Sequence, residues 1–438
     1  MIEADLIIRS DHVLKMDAGL AVIDDGAIAV GAGKVLAVGP AQDILKSYSS
    51  GNVLGGTGTV AFPGLVNTHT HSPMVYFRGL ADDIPLKEWL EKNIWPAEEK
   101  WLSPEFVTDA VELACLEMLK SGTTAFNDMY FYGNQIAAAS VKLGMRAFVG
   151  AGIVDFPTST GTRADDYFAN AESLIKSWKG NDLITPCIAP HSLYACGPDT
   201  LKKAKKMSEH FGVPLHVHLS ETQWEVGQIT SLYNKRPVEY LHSLGFLDET
   251  VLAAHCVWVD DREIRLLGKN KVNVSHCMES NLKLASGFAP VTTMLAEGIK
   301  VTFGTDGAAS NNDLNLLGEM STTAKVHKAL TSNPTVLDAR TVLLMATRWG
   351  AEALGMGKTA GSIEEGKDAD IVICDLKKPH LTPMYDVYSH IVYAMNSADV
   401  DSVIIKGRVV VRDRYLTTTD ESEIIGKAVE WGNRIRQG

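Results

Sequence analysis

The rhythm of apolar and polar positions changes twice along this chain. Over roughly the first sixty residues, short alternating or β-branched runs are punctuated by Gly and Asp, predicting strands at 5–10, 12–16, 27–31 and 34–39. From Thr59 onward, apolar strands alternate with helical patterns. Eight strands are predicted, at 61–68, 123–128, 146–152, 184–189, 214–218, 251–254, 271–275 and 301–305. Amphipathic stretches lie between them, such as 104–121, with Leu113, Leu116 and Leu119 among its apolar positions, and 200–211. Eight such repeats predict a (β/α)8 TIM-like barrel rather than an open sheet. A helix is predicted over 339–355, after which β texture returns. Residues 361–366 read as a turn, 369–374 and 403–411 as strands around Lys406-Gly407, and 421–436 as a final helix. The expected organisation is a small β-sandwich domain formed from both chain ends (1–59 and 361–438), with a barrel over 60–360 inserted between them.

Composition narrows the partners. The chain has 438 residues, 45% hydrophobic and 21% charged, ordinary proportions for a globular protein. Lys and Arg number 41 against 53 Asp and Glu, a net charge of −12. Binding nucleic acid needs clustered cations to neutralise phosphates, so that class is disfavoured. A nucleoside, which carries no phosphate, remains open. The six cysteines (Cys115, Cys187, Cys196, Cys256, Cys277 and Cys374) show no Cys-x-x-Cys spacing and read as reduced thiols. No basic segment followed by an apolar stretch opens the chain, and no apolar run approaches the roughly 20 residues that span a bilayer. A cytoplasmic location without a membrane partner is expected. The β domain and outer helices leave room for a homo-oligomer.

The chemistry gathers at strand ends. His69 and His71 stand at i and i+2 at the end of the first barrel strand, so both imidazoles project to one side. His191, His218, His255 and Asp306 follow strands four, five, six and eight, and His276 follows strand seven. A lone histidine there is usually a satisfied core residue, but that reading would have to hold on several strands at once. A parallel barrel brings all these ends to one rim. Three imidazoles and a carboxylate suit one divalent cation, Zn²⁺ first, with Fe²⁺ or Mn²⁺ accepting the same donors. An open coordination position would bring the pKa of a water to about 7. Of His216 and His218, which share a face, His218 is nearer the rim and is the expected ligand, leaving His216 one layer deeper. Glu221, three residues past His218, can hang over the site and carry protons. His255 is placed to orient the attacking water, and Asp306 to ligate and to accept its proton.

The ordered set of motifs resembles the amidohydrolase superfamily, within its branch of 5′-methylthioadenosine/S-adenosylhomocysteine deaminases. Its carriers include PGLVNTHTH (63–71), APHSLYAC (189–196), HLSET (218–222), SHCMESNLKLASGFAPV (275–291) and GTDGAASNNDLNL (304–316), and the likeness covers nearly the whole chain. The resemblance implies one metal per subunit held by His69, His71, His218 and Asp306. It implies Glu221 as the proton carrier with His255 assisting, Glu98 on the ribose hydroxyls, and His191 against the purine or ribose. The residues alone do not separate Glu98 from Glu99. Some relatives carry an arginine at the end of strand three that meets an amino-acid carboxylate. Ala151 stands there in this chain, and Arg163 in the next loop reads as a surface charge. That substitution favours methylthioadenosine, whose tail is uncharged.

The expected activity is therefore metal-dependent hydrolytic deamination of 5′-methylthioadenosine, with S-adenosylhomocysteine or adenosine as further substrates, giving the inosine analogue and ammonia. Rivals are another hydrolase of heteroaromatic rings, such as a guanine deaminase or triazine hydrolase, and a non-catalytic scaffold, which would be expected to lack ligands. The run Gly355-Met356-Gly357-Lys358-Thr359 mimics the end of a P-loop, but Glu352 stands where its first glycine belongs. Trp89, Trp95 and Trp101 could line a pocket or bury a helix, with burial expected for Trp101.

Overall fold

The computed structural model describes residues 1–437. Besides a two-residue parallel pair, Ile2–Glu3 with Tyr48–Ser49, four longer strands open the chain: β1 (Leu6–Leu14), β2 (Val22–Gly31), β3 (Lys34–Pro40) and β4 (Val53–Pro63). Eight short strands follow: β5 (Leu65–Thr70), β6 (Thr123–Tyr130), β7 (Arg146–Ile153), β8 (Ile184–Pro190), β9 (Leu215–Leu219), β10 (Val251–His255), β11 (Asn273–His276) and β12 (Val301–Phe303). They pair in parallel, each with its neighbour in sequence. The first and last are drawn together by Thr68 Oγ1, which bonds Thr302 Oγ1 at 2.7 Å and Phe303 O at 2.9 Å. Asp306 N donates to His69 O at 3.0 Å just above. The chain is thus a nearly closed TIM-like barrel.

β13 (Ile371–Asp375), β14 (Val400–Ile405), β15 (Arg408–Arg412) and β16 (Tyr415–Leu416) join the opening strands in one hydrogen-bonded sheet of order β16-β15-β14-β13-β4-β1-β2-β3. All its pairs are antiparallel except β1 with β4. The layers around its core are two parts of this continuous sheet. Leu6, Ile8, Ile28 and Val30 from one part pack with Ile371, Ile373 and Ile404 from the other. Lys34 in β3 forms a bridge to Asp368, folding the sheet towards closure.

Three boundaries differ from the sequence expectation, each for a local reason. The apolar run over 61–68 is two strands: β4 ends in the terminal sheet at Pro63, and the first barrel strand begins at Leu65. Gly64 is the joint, where a Cβ would stand 2.0 Å from Thr124 Oγ1. Hydrophobicity does not register such a joint, because both sheets bury their strands. Secondly, residues 5–10 and 12–16 make one strand with a bulge between Ser10 and His12. Thirdly, the helix over 339–355 breaks at Thr347 into Ala339–Ala346 and Arg348–Ala353. The break turns Ala351, Leu354, Met356 and Ala360 into a plug against Val66, Ala125, Phe148, Cys187 and Leu252 of the barrel interior. The P-loop-like run is therefore a packing segment.

Arg146, at the start of β7, ties the barrel to the terminal sheet. Its guanidinium donates to Asp370 Oδ2 at 2.9 and 3.1 Å and to Asp368 Oδ2 at 3.1 Å, all three side chains being buried. Removing the cation would leave the buried Asp370 without an ion-pair partner among the described residues and Asp368 with Lys34 alone, at 2.9 Å. Arg146→Met is expected to lower stability by about 3–5 kcal/mol, measured as the urea unfolding midpoint with the slope unchanged.

Candidate metal centre

His69 and His71 leave the end of β5, His218 stands near the end of β9, and Asp306 follows β12. One ligand atom from each lies within 4.8 Å of all the others. All four side chains are buried. Gly304 allows this approach: a Cβ there would sit 2.6 Å from both His69 Cβ and Ser275 Oγ.

Each imidazole is held by its inner nitrogen. His71 Nδ1 donates to Met129 O at 2.6 Å, and His218 Nδ1 donates to His191 O at 2.8 Å. Both Nε2 atoms then carry lone pairs, and they face each other at 3.1 Å. Two lone pairs at that distance repel unless a positive charge lies between them, so the site fits a cation. His69 Nδ1 lies 2.8 Å from His216 Nε2, while its own Nε2 is buried without a hydrogen-bond partner. His216 Nδ1 in turn lies 3.0 Å from the Asn127 amide nitrogen, which also donates to Thr68 O at 3.0 Å.

Asp306 completes the set. Its Oδ2 accepts from Ser280 Oγ at 2.6 Å and Ser310 Oγ at 2.9 Å; its Oδ1 accepts from Gly307 N at 2.8 Å and faces His69 and His71 Nε2 at 3.3 and 3.2 Å. Burial would raise this carboxyl, but the two imidazoles hold it well below the usual range. Burial drives His69 down to about 4 and His218 well below its ordinary value, leaving both neutral and able to donate lone pairs. His71 goes the other way, to about 9: burial opposes the shift and Asp306 imposes it, so that without a cation a proton on Nε2 supplies the positive charge between the two facing nitrogens. The carboxylate side of the site draws positive charge.

Glu221 and His255 stand over this cluster. Glu221 Oε2 is 3.9 Å from His255 Nε2, and Ser286 Oγ reaches Glu221 Oε1 at 3.4 Å. Burial raises the Glu221 carboxyl. His255 Nδ1 is held by Asn281 Oδ1 at 3.0 Å. The backbone at this rim is unusual: Ser220, His255 and Asp306 have φ of 53°, 70° and 61°. Left-handed backbone in side-chain-bearing residues is costly and concentrates at functional sites.

A cavity of about 480 Å³ opens above, lined by His71, His191, His218, Glu221, His255 and Asp306 on its floor and by Trp89, Trp95 and Phe156 around it. Glu98 enters from helix Trp95–Trp101 and is buried, whereas Glu99 is exposed, so the structure separates the two. Tyr130 OH donates to Glu98 Oε1 at 2.5 Å. Burial pushes the Glu98 carboxyl up to about 7, with Tyr130 pulling the other way. Trp101 packs partly buried away from the cavity, and Arg163 is an exposed residue at a helix start. His276 lies buried against His327 and apart from the four-ligand group. Sequence reasoning missed Tyr130, Ser280, Ser310, Asn281 and Asn127. The two serines and Asn281 stand inside motifs already singled out, but nothing in their spacing announces their partners.

Comparison with known proteins places this geometry in context. Residues 60–410 match the model of the amidohydrolase family. A 5-methylthioadenosine/S-adenosylhomocysteine deaminase of Thermodesulfovibrio yellowstonii is 50% identical over 432 residues, 98% of each chain. A 5′-deoxyadenosine deaminase of Methanosarcina acetivorans is 43% identical over 97% of each chain. The crystal structure of an adenosine deaminase from Xanthomonas campestris with bound zinc superposes with a TM-score of 0.98 at 38% identity, each chain covered completely.

The hydrogen bond behind His69 generates a test. His216→Leu is expected to weaken metal affinity by about 10–100-fold, measured by competition with a chromophoric chelator.

Proposed function

The chain belongs to the amidohydrolase family, and from that premise we propose that it is a metal-dependent deaminase of adenine nucleosides bearing a small, uncharged 5′ substituent, 5′-methylthioadenosine foremost. The product is the inosine analogue with release of ammonia. The observation that carries this reading is one cavity with two chemistries. A cluster of three imidazoles and a carboxylate lies at its floor, and a buried carboxylate, Glu98, lies on its wall. The first suits attack on a ring carbon; the second suits a vicinal diol. A ribose-free base would leave Glu98 without a role.

His69, His71, His218 and Asp306 are the proposed ligands of one divalent cation, with zinc our choice on the mixed nitrogen and oxygen donors. Bound there, the cation supplies Lewis acidity that brings a water towards ionisation near neutral pH. Glu221, raised by burial, holds a proton that it delivers to ring N1 as water attacks C6. Asp306 takes the proton that the attacking water gives up. His255, fixed through Nδ1 by Asn281, presents Nε2 to the oxygen, and in its doubly protonated form donates to it as negative charge develops. Glu221 and Asp306 then move protons to the amino group, which leaves as ammonia. His191 lies beside His218, ring centroids 4.5 Å apart, where it can contact the purine or ribose. The unit boundaries expected at 59/60 and 360/361 remain our proposal, with the Gly64 joint just inside the first.

The preference for a short tail is supported by the wall chemistry. Among the described residues no lysine or arginine lines the cavity, while Glu91, Glu98 and Glu99 do. An amino-acid carboxylate inside this cavity would meet several like charges, the nearest lysines, Lys87 and Lys283, lining the adjoining one. The test is an ammonia-release assay across methylthioadenosine, S-adenosylhomocysteine, adenosine and guanine, run on wild type and Glu221→Gln. The highest kcat/KM is expected for methylthioadenosine. Glu221→Gln is expected to keep its metal and lose kcat by about 10²–10⁴-fold. A guanine preference, or near wild-type turnover in the metal-loaded variant, would overturn the reading.

Glu98 adds a pH signature. Only the ionised carboxylate accepts from both ribose hydroxyls, and its value of about 7 means that protonation removes that form as pH falls through neutrality. KM for a nucleoside is therefore expected to rise below about pH 7, and Glu98→Gln to raise KM and flatten that dependence in steady-state profiles.

A further inference from the structure

Glu225 has no part in the chemistry above, yet it is a carboxylate with no exposed surface and no ion-pair partner among the described residues. It lies in the first turn of helix Gln223–Tyr233, whose N-cap is Thr222. The spacing Thr222-x-x-Glu225 matches a capping box, in which the glutamate would return to the N-cap backbone. Here only half of the box forms: Thr222 Oγ1 accepts from Glu225 N at 3.2 Å. The carboxylate reaches further back, Oε1 accepting from Ser220 N at 2.9 Å and Oε2 from Glu221 N at 2.8 Å.

Those two amides flank the turn that aims Glu221. Ser220 holds φ at 53°, and its carbonyl is fixed from the other side by Trp258 N at 2.8 Å. The Glu221 carboxylate has only one long hydrogen bond, 3.4 Å from Ser286 Oγ. Its position is therefore set by its backbone rather than by its side-chain contacts. Burial raises the Glu225 carboxyl, with Glu221 and Glu263 adding like charge, while the two amide donors favour the ionised form that accepts from both. A buried carboxylate without a cation works against folding; its retention calls for a local purpose.

We propose that Glu225 is a positioning residue that holds the Ser220–Glu221 turn left-handed and so keeps the Glu221 carboxyl over the reacting ring. The inference rests on Glu221 being the proton carrier. An amide at position 225 offers one acceptor where the carboxylate offers two, so one of the paired backbone donors loses its partner. The turn relaxes and Glu221 moves out of reach, while the metal ligands and the Glu98 wall are untouched.

The test is Glu225→Gln in the metal-loaded full chain with methylthioadenosine. The expected result is a fall in kcat of about 100-fold with KM within about twofold, an unchanged metal-to-protein ratio, and a Tm no lower than wild type. A kcat within about twofold of wild type would overturn the proposal. So would a joint loss of kcat, KM, metal and Tm, which would mark a residue that only supports the fold. If Glu225→Gln is recovered unfolded, Glu225→Asp carries the test: it keeps the charge but is one methylene short. That variant is expected to lose about tenfold in kcat at constant KM, and unchanged turnover overturns the idea. Glu221→Gln separates the two levels. Turnover surviving there removes the proton carrier and this inference with it, whereas an inactive Glu221→Gln beside a fully active Glu225→Gln removes the inference alone.

Discussion

The structure is organised by a repulsion. Two imidazole lone pairs are held 3.1 Å apart by backbone carbonyls behind them, with a third ring and a carboxylate closing the same point. None of these groups can turn away, because each is anchored on its far side: Met129 O behind His71, His191 O behind His218, His216 behind His69, and two serine hydroxyls behind Asp306. An arrangement so unfavourable on its own is tolerable in a packed barrel because a cation relieves it. The barrel supplies the rigidity; the cation supplies the missing charge.

The rim shows what that arrangement demands nearby. Side-chain-bearing residues adopt left-handed backbone at Ser220, His255 and Asp306, each at or just beyond the end of a barrel strand. Each turn bends the chain so that the residue at or just after it points inward over the floor rather than outward along the strand. The carboxyl groups there respond to their surroundings in opposite senses. Asp306, among imidazoles, is held ionised; Glu221, buried with one weak donor, is raised. In the proposed reaction, Asp306 at the metal-binding point and Glu221 above it would thus divide the proton-accepting and proton-donating work by environment.

Much of this was legible in the sequence because it depends on period. The i, i+2 spacing of His69 and His71 puts both on one side of a strand wherever that strand lies, and eight apolar strands separated by helices leave few topologies. His218 could be chosen over His216 by depth alone. What escaped notice depends on pairing across long separations. Glu98 differs from Glu99 only in facing Tyr130 rather than solvent, and that follows from how a short helix, partly π-wound before it, packs on the barrel. The Gly64 joint and the Thr347 break were invisible because hydrophobicity is continuous through both. Glu225 did carry a readable signal, the capping spacing after Thr222, but the spacing points to the wrong amides.

The interleaving of the chain ends has a consequence for biosynthesis. Strand Val53–Pro63 emerges from the ribosome early, but its antiparallel neighbour, Ile371–Asp375, follows only after the entire barrel has been made. At about 5–20 residues per second, that is a wait of roughly 15–60 s with an unpaired edge. The waiting edge offers little to other nascent chains: it is only Thr59–Pro63, and Pro63, which lacks a backbone donor, ends it. Its shortness and its terminal proline can thus be read as protection during translation, and the last strands to be synthesised as the latch that ends the exposure.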